Sequence, residues 1–114
     1  MTFAEDLTTT LSALGLPVSL GVSLEKASDK FIVFTPFRED DARFADDVAG
    51  YVVCEARIAL YIRGEDYHPH KRQLRQALKN ADFTITDTDY NFENSTGYHQ
   101  YSADAQKYYE SEDY

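Results

Sequence analysis

The spacing of apolar and polar positions divides the chain into seven elements. Phe3, Leu7, Leu11 and Leu14 recur at i, i+4, i+8 and i+11, which lines one side of a helix. Gly15 and Pro17 stop that helix, because glycine takes the left-handed cap conformation and proline cannot continue the ladder. Val18, Leu20, Val22 and Leu24 then alternate with Ser19, Gly21 and Ser23, a period-two strand with one face buried. Glu25 to Lys30 is polar and turn-like. Phe31-Ile-Val-Phe-Thr-Pro-Phe37 is aromatic and β-branched, a second strand, with Pro36 placed near its end at an edge or bulge.

Residues 38–50 read as a long loop holding five acids (Glu39, Asp40, Asp41, Asp46, Asp47) and two arginines. Tyr51 to Arg63 is the clearest strand. Its even positions, Val52, Cys54, Ala56, Ile58, Leu60 and Ile62, are all apolar, and its odd positions include Glu55, Arg57 and Arg63. A slip of one residue would bury those charges, so the register is specified. Gly64-Glu-Asp-Tyr67 breaks the strand. Leu74, Ala77, Leu78 and Ala81 mark a second helix, with Asp66 as a candidate N-cap. Phe83 to Phe92 is a fourth strand, Asn94-Ser-Thr-Gly97 a turn, and Tyr98 to Tyr109 the last strand, followed by a frayed acidic end over about 110–114. The order α-β-β-β-α-β-β lacks strand–helix alternation throughout. It predicts an α+β fold: a mostly antiparallel sheet with two helices on one face.

Length and composition narrow the class. The 114 residues make one domain, 1–114, which buries roughly 65% of its unfolded surface. Sixteen aromatics against five glycines and three prolines describe a folder rather than a disordered tail. A single cysteine excludes an intramolecular disulfide, and no basic start with an apolar run marks a signal peptide. No stretch reaches the length of a membrane span, so the chain is expected to be cytosolic when made, with no membrane partner. The net charge of −9 argues against wrapping nucleic acid, which needs local positive charge.

Candidate chemistry fails on spacing. Asp87-x-Asp89-x-Asn91 begins like a calcium loop, but Phe92 stands where the sharp turn needs glycine and Tyr98 where a bidentate glutamate belongs. His68-Pro69-His70 near Glu65, Asp66 and His99 offers no helical i, i+4 ligand pair and reads as a helix start. Cys54 lies on the predicted core face, the setting of an inert thiol. Ser23-x-x-Lys26 has the letters of a nucleophile pair without a helix to align it. Asn94-Ser95-Thr96 fits a glycosylation sequon and reads simply as a turn. The chain is therefore read as non-enzymatic, with no catalytic residue, cofactor or metal.

Charge is unevenly distributed. Residues 82–114 hold eight acids, one base (Lys107) and six of the nine tyrosines; the first 81 hold twelve acids and ten bases. Lys71, Arg72, Arg75 and Lys79 share the outward face of the second helix with no acid among them. An acidic, tyrosine-rich surface and a separate basic face on one domain suit head-to-tail self-association. The plainer alternative is solvated charge around a small core that the tyrosines complete.

Two stretches carry a family likeness. Phe37 through Asp47 leads an aromatic strand end through acids to Phe44-Ala45-Asp46-Asp47. Ile58-Ala-Leu-Tyr-Ile-Arg-Gly-Glu-Asp-Tyr67 continues through a helix to Ala81-Asp82-Phe83, and Tyr98-His-Gln-Tyr101 leads to Tyr108-Tyr109-Glu110. In these motifs, and in element order over residues 31–110, the chain resembles the tail terminator, or tail-completion, proteins of long-tailed phages and prophages of Gram-positive bacteria. Their motifs run aromatic–Ala–Asp–Asp/Asn in the loop, Lys/Arg–Gly–acid–Tyr in the turn, and Ala-Gly-Phe where the sheet restarts.

The resemblance implies a virion neck protein that assembles as a ring, a hexamer being the implied size. It would cap the tail tube and join it to the head connector, made in the bacterial host cytoplasm and resident in the virion. Its partners would be itself, the tail-tube protein and the head-closure protein, with DNA passing nearby but not held. The expected interface comprises Lys71, Arg72, Arg75 and Lys79 on one side. On the other stand Glu39, Asp40, Asp41, Phe44, Asp46, Asp47, Tyr101, Tyr108 and Tyr109. The alternative from another class is a small acidic DNA mimic that inhibits a host nucleic-acid enzyme, motivated by the acids of residues 82–114.

Overall fold

The computed structural model describes residues 2–21, 28–42 and 50–110. The elements are α1 (Phe3–Ser12), β1 (Val18–Leu20), β2 (Lys30–Ala42), β3 (Tyr51–Arg63), α2 (His68–Asn80), β4 (Thr84–Glu93) and β5 (Tyr98–Glu110). The five strands form one sheet in the order β1-β2-β3-β5-β4, parallel only between β1 and β2. The α+β fold and element order are those the periodicity predicts.

The core follows from β3. Its even residues, Val52 through Ile62, face the same side as Ile32 and Phe34 of β2 and Ala103 and Ala105 of β5. Phe3, Leu7 and Leu11 of α1 and Leu74 and Leu78 of α2 join that cluster. The four helix leucines are fully buried, each contributing about 2 kcal/mol of apolar transfer. Both helices therefore bury their apolar stripes in one core. The opposite sheet face has no helix. It carries a smaller cluster of Phe31, Val33 and Tyr98 packed with Tyr61, whose ring stacks on Phe31 at 4.6 Å.

Three boundaries differ from the pattern reading, while the bulge expected near Pro36 is present. The loop expected from residue 38 begins later, because Arg38 to Ala42 continue β2, paired with Glu55 to Tyr51. Backbone pairing with a long neighbour outweighs the polarity of that segment, whose side chains stay in water. The bulge falls between Pro36 and Arg38, leaving Phe37 53% exposed. β1 stops at Leu20, where Gly21 takes φ +81°, and Val22 and Leu24 lie outside the described residues, as do Ser23, Lys26, Phe44, Asp46 and Asp47. Tyr67, not Asp66, is the N-cap of α2; the Asp66 carboxylate instead accepts from the His68 backbone N–H (3.1 Å) and Nδ1 (2.8 Å).

Helix ends are secured locally. Thr2 and Glu5 form a capping box on α1, which holds the Glu5 carboxyl below its ordinary value through the Thr2 backbone hydrogen bond. After α2, Asp82 adopts φ +69° and the Phe83 N–H donates to the Leu78 carbonyl (2.9 Å). That left-handed position usually belongs to glycine, and an aspartate there costs about 1 kcal/mol.

The thirteen-residue strands make the molecule long, 53 × 23 × 22 Å. Its radius of gyration of 15.3 Å exceeds the roughly 13 Å of a compact domain of this length. One end carries Tyr51 and Glu110; the other carries Arg63, Tyr98 and the β4–β5 turn.

Candidate functional site

The site begins with the pitch of α2. At about 100° per residue, Lys71, Arg72, Arg75 and Lys79 fall within an arc of about 100°. Leu74 and Leu78 occupy the buried side. The basic side overlooks β4 across a groove of about 620 Å³, with Arg75 and Lys79 on one wall and Phe83 and Thr84–Thr88 on the other.

Aromatic rings gather near the first turn of α2. Tyr67 stacks on Tyr90 at 4.9 Å and on His99 at 5.2 Å, and Phe92 packs against His99 at 5.0 Å. The Tyr90 hydroxyl lies 2.7 Å from His99 Nδ1. Tyr90 and Phe92 remain 44% and 43% exposed, so the cluster presents an outer surface. Lys71 Nζ lies 5.6 Å from the Tyr67 ring and 5.9 Å from the Tyr101 ring. Arg75 donates to the Tyr101 hydroxyl at 2.9 Å. These contacts join the basic row to the aromatic cluster as one surface.

Ion pairing separates this row from the other cations. Lys30 pairs with Glu65, Arg38 with Asp40 and Glu55, Arg57 with Asp104, Arg63 with Asp29, and Lys107 with Asp6. Among the described residues, none of the four α2 bases has a carboxylate within 4 Å. Hydrogen bonding to Lys30 lowers the Glu65 pKa, and hydrogen bonding to His68 lowers that of Asp66. Among the described residues of this chain of net charge −9, the bases without a carboxylate within 4 Å thus share one helix face.

The acids lie elsewhere. Asp87, Asp89, Asn91 and Glu93 face the uncovered side of the sheet beside Asp104, their partners in β5 being Asp104, Ser102, Gln100 and Tyr98. Arg57 reaches the Asp104 carboxylate through two nitrogens, at 3.0 and 3.3 Å, and that hydrogen bonding raises the guanidinium pKa. Among the described residues no three His, Cys, Asp or Glu side chains are grouped to hold a metal. Cys54 is 1% exposed in the core.

The remaining expected interface residues divide. Glu39, Asp40 and Asp41 are exposed on the β2 extension, with Asp40 bonded to Arg38 at 2.8 Å. Tyr108 is exposed. Tyr101 is buried in the core, and Tyr109 donates to Asp6 at 2.7 Å while its ring meets Phe3 edge-on. Those two tyrosines serve the chain's own packing. Tyr67, Tyr90, Phe92 and His99, absent from the expected set, form the exposed cluster. Their signal was a shared sheet face: Tyr90 pairs with Tyr101 and Phe92 with His99.

No protein-family model matches the chain, and no curated protein matches it. Among solved structures, a chain from the virion of a native gene transfer agent particle is similar, with a TM-score of 0.54 at 9% identity. The match covers 95% of this chain and 91% of that one, so the two share a fold across nearly their whole lengths.

Proposed function

We propose that the protein is a non-enzymatic virion assembly component, a ring-forming tail terminator that caps the tail tube and joins it to the head connector. The observation that carries this reading is the row of bases on α2 that, among the described residues, have no carboxylate within 4 Å, set apart from the acids of β2 and β4 on an otherwise acidic chain. Complementary patches on different sides of one subunit make heterologous contacts, which close into rings when the rotation permits. The fold shared with a virion chain supports the same reading. Acids on the uncovered sheet face would repel the phosphates of DNA passing through such a ring, where bases would trap it.

The test is binding to purified tail tubes. The protein is expected to co-sediment with tubes and appear as a terminal ring by electron microscopy, weakening as salt rises. Tubes left bare at their ends would overturn the reading. A DNA mimic would instead bind a host nuclease, and the basic wall of α2 disfavours it, since a mimic of phosphates gains nothing from exposed cations.

A further inference from the structure

β4 is an edge strand of ten residues, and its outer side governs which other chains can extend the sheet. Its Thr84-Ile-Thr and Tyr90-Asn-Phe92 stretches favour strand, and Tyr90 and Phe92 are large exposed rings. An edge of this length and composition offers its outward N–H and C=O groups to any other strand, without regard to partner.

Two of those donors are already engaged. Alternate N–H groups of an antiparallel edge strand point away from the sheet, and Thr88 and Tyr90 share that alternation. The Thr88 N–H donates to Asp87 Oδ1 at 2.9 Å, and the Tyr90 N–H donates to Asp89 Oδ1 at 2.8 Å. The bulge between Ile85 and Asp87 interrupts the same edge. There the Thr86 hydroxyl donates to the Glu55 carboxylate on the uncovered face and lies 3.3 Å from the Asp104 carbonyl oxygen. We propose that Asp87 and Asp89 close the β4 edge to strand addition. This side of the molecule then meets partners through side chains, the α2 bases and the exposed rings, and not by extending the sheet. The inference goes beyond the proposed function and holds whether or not copies form a ring.

Sedimentation velocity of the full chain at about 0.5 M salt, where pairing through the α2 bases is screened, tests the closure. The native chain is expected to stay monomeric, and so is Asp87→Asn with Asp89→Asn, because the amide oxygen keeps the acceptor and discards only the charge. Asp87→Ala with Asp89→Ala is expected to associate as concentration rises and to bind thioflavin T. In dilute samples, amide exchange at Thr88 and Tyr90 should be about tenfold faster in the alanine variant and unchanged in the asparagine one. Both aspartates are exposed, so unchanged circular dichroism is expected of each variant. A monomeric alanine variant, a native chain that associates as that variant does, or equal exchange at the two amides would overturn the proposal. Association of the asparagine variant to the same extent as the alanine one would also overturn it, since charge and not the hydrogen bonds would then close the edge.

Discussion

Lys107 and Lys79 show two uses of one charge. Lys107 Nζ sits 2.9 Å from Asp6 and 2.8 Å from the Ala81 carbonyl, with its side chain 22% exposed, tying β5 to α1 and to the end of α2. Lys79, two residues from that carbonyl, is exposed and has no carboxylate within 4 Å among the described residues. The difference lies in what surrounds each cation. Lys107 is partly withdrawn from water and has a carboxylate beside it, because an unpaired charge there is costly. Where a base stays hydrated, the fold imposes no such requirement, and the charge remains available to another molecule.

Lys107→Ala presses hardest on this contrast. It leaves Asp6, with only 14% of its side chain exposed, without its cation, and is expected to cost about 2 kcal/mol in urea unfolding. A smaller loss, visible as a lower urea midpoint, is expected for Arg57→Ala, which strips the partner from Asp104 while Arg57 itself stays largely solvated. Lys79→Ala and Arg72→Ala should each change stability by less than about 0.5 kcal/mol. If either equals Lys107→Ala, α2's bases are structural and the contrast fails.

The smallest effect expected is on acidification. Glu5 is lowered by the Thr2 backbone, Glu65 by Lys30 and Asp66 by His68. Groups with depressed folded values add stability that is complete above their ordinary carboxylate range and lost as pH falls through the lowered values. Urea midpoints should therefore be level from pH 7 to about pH 5 and fall below about pH 4.

Much of the frame was readable from spacing. β3 has strict alternation over thirteen residues with charges on the odd side, and a sheet can satisfy that in one register only. The stripes Phe3-Leu7-Leu11 and Leu74-Leu78 located both helices. The continuation of β2 through Arg38–Ala42 was hidden because five polar or small residues look like a loop until a paired neighbour supplies their hydrogen bonds. The capping box Thr2-x-x-Glu5 is a pattern of two letters whose meaning depends on a helix starting between them.

The site was half readable. Lys71, Arg72, Arg75 and Lys79 share a helix face by arithmetic alone, but that they lack acids while every other described base has one depends on contacts between distant strands. The tyrosines show the same limit. Composition could not separate Tyr101 and Tyr109, which complete the core, from Tyr90, which stands outside it. Strand parity does not explain that division, since all three lie on the helix-covered face. Position across the sheet explains it: β4 is the edge strand, where the core ends.

The measurement closest to the central claim compares the native chain with the Arg72→Glu, Lys79→Glu double variant by sedimentation velocity at low salt, alone and with tail tubes. The account predicts assembly by the native chain and monomers only from the variant, with equal urea midpoints. A variant that assembles as the native chain does, at the same concentration and salt, would contradict it.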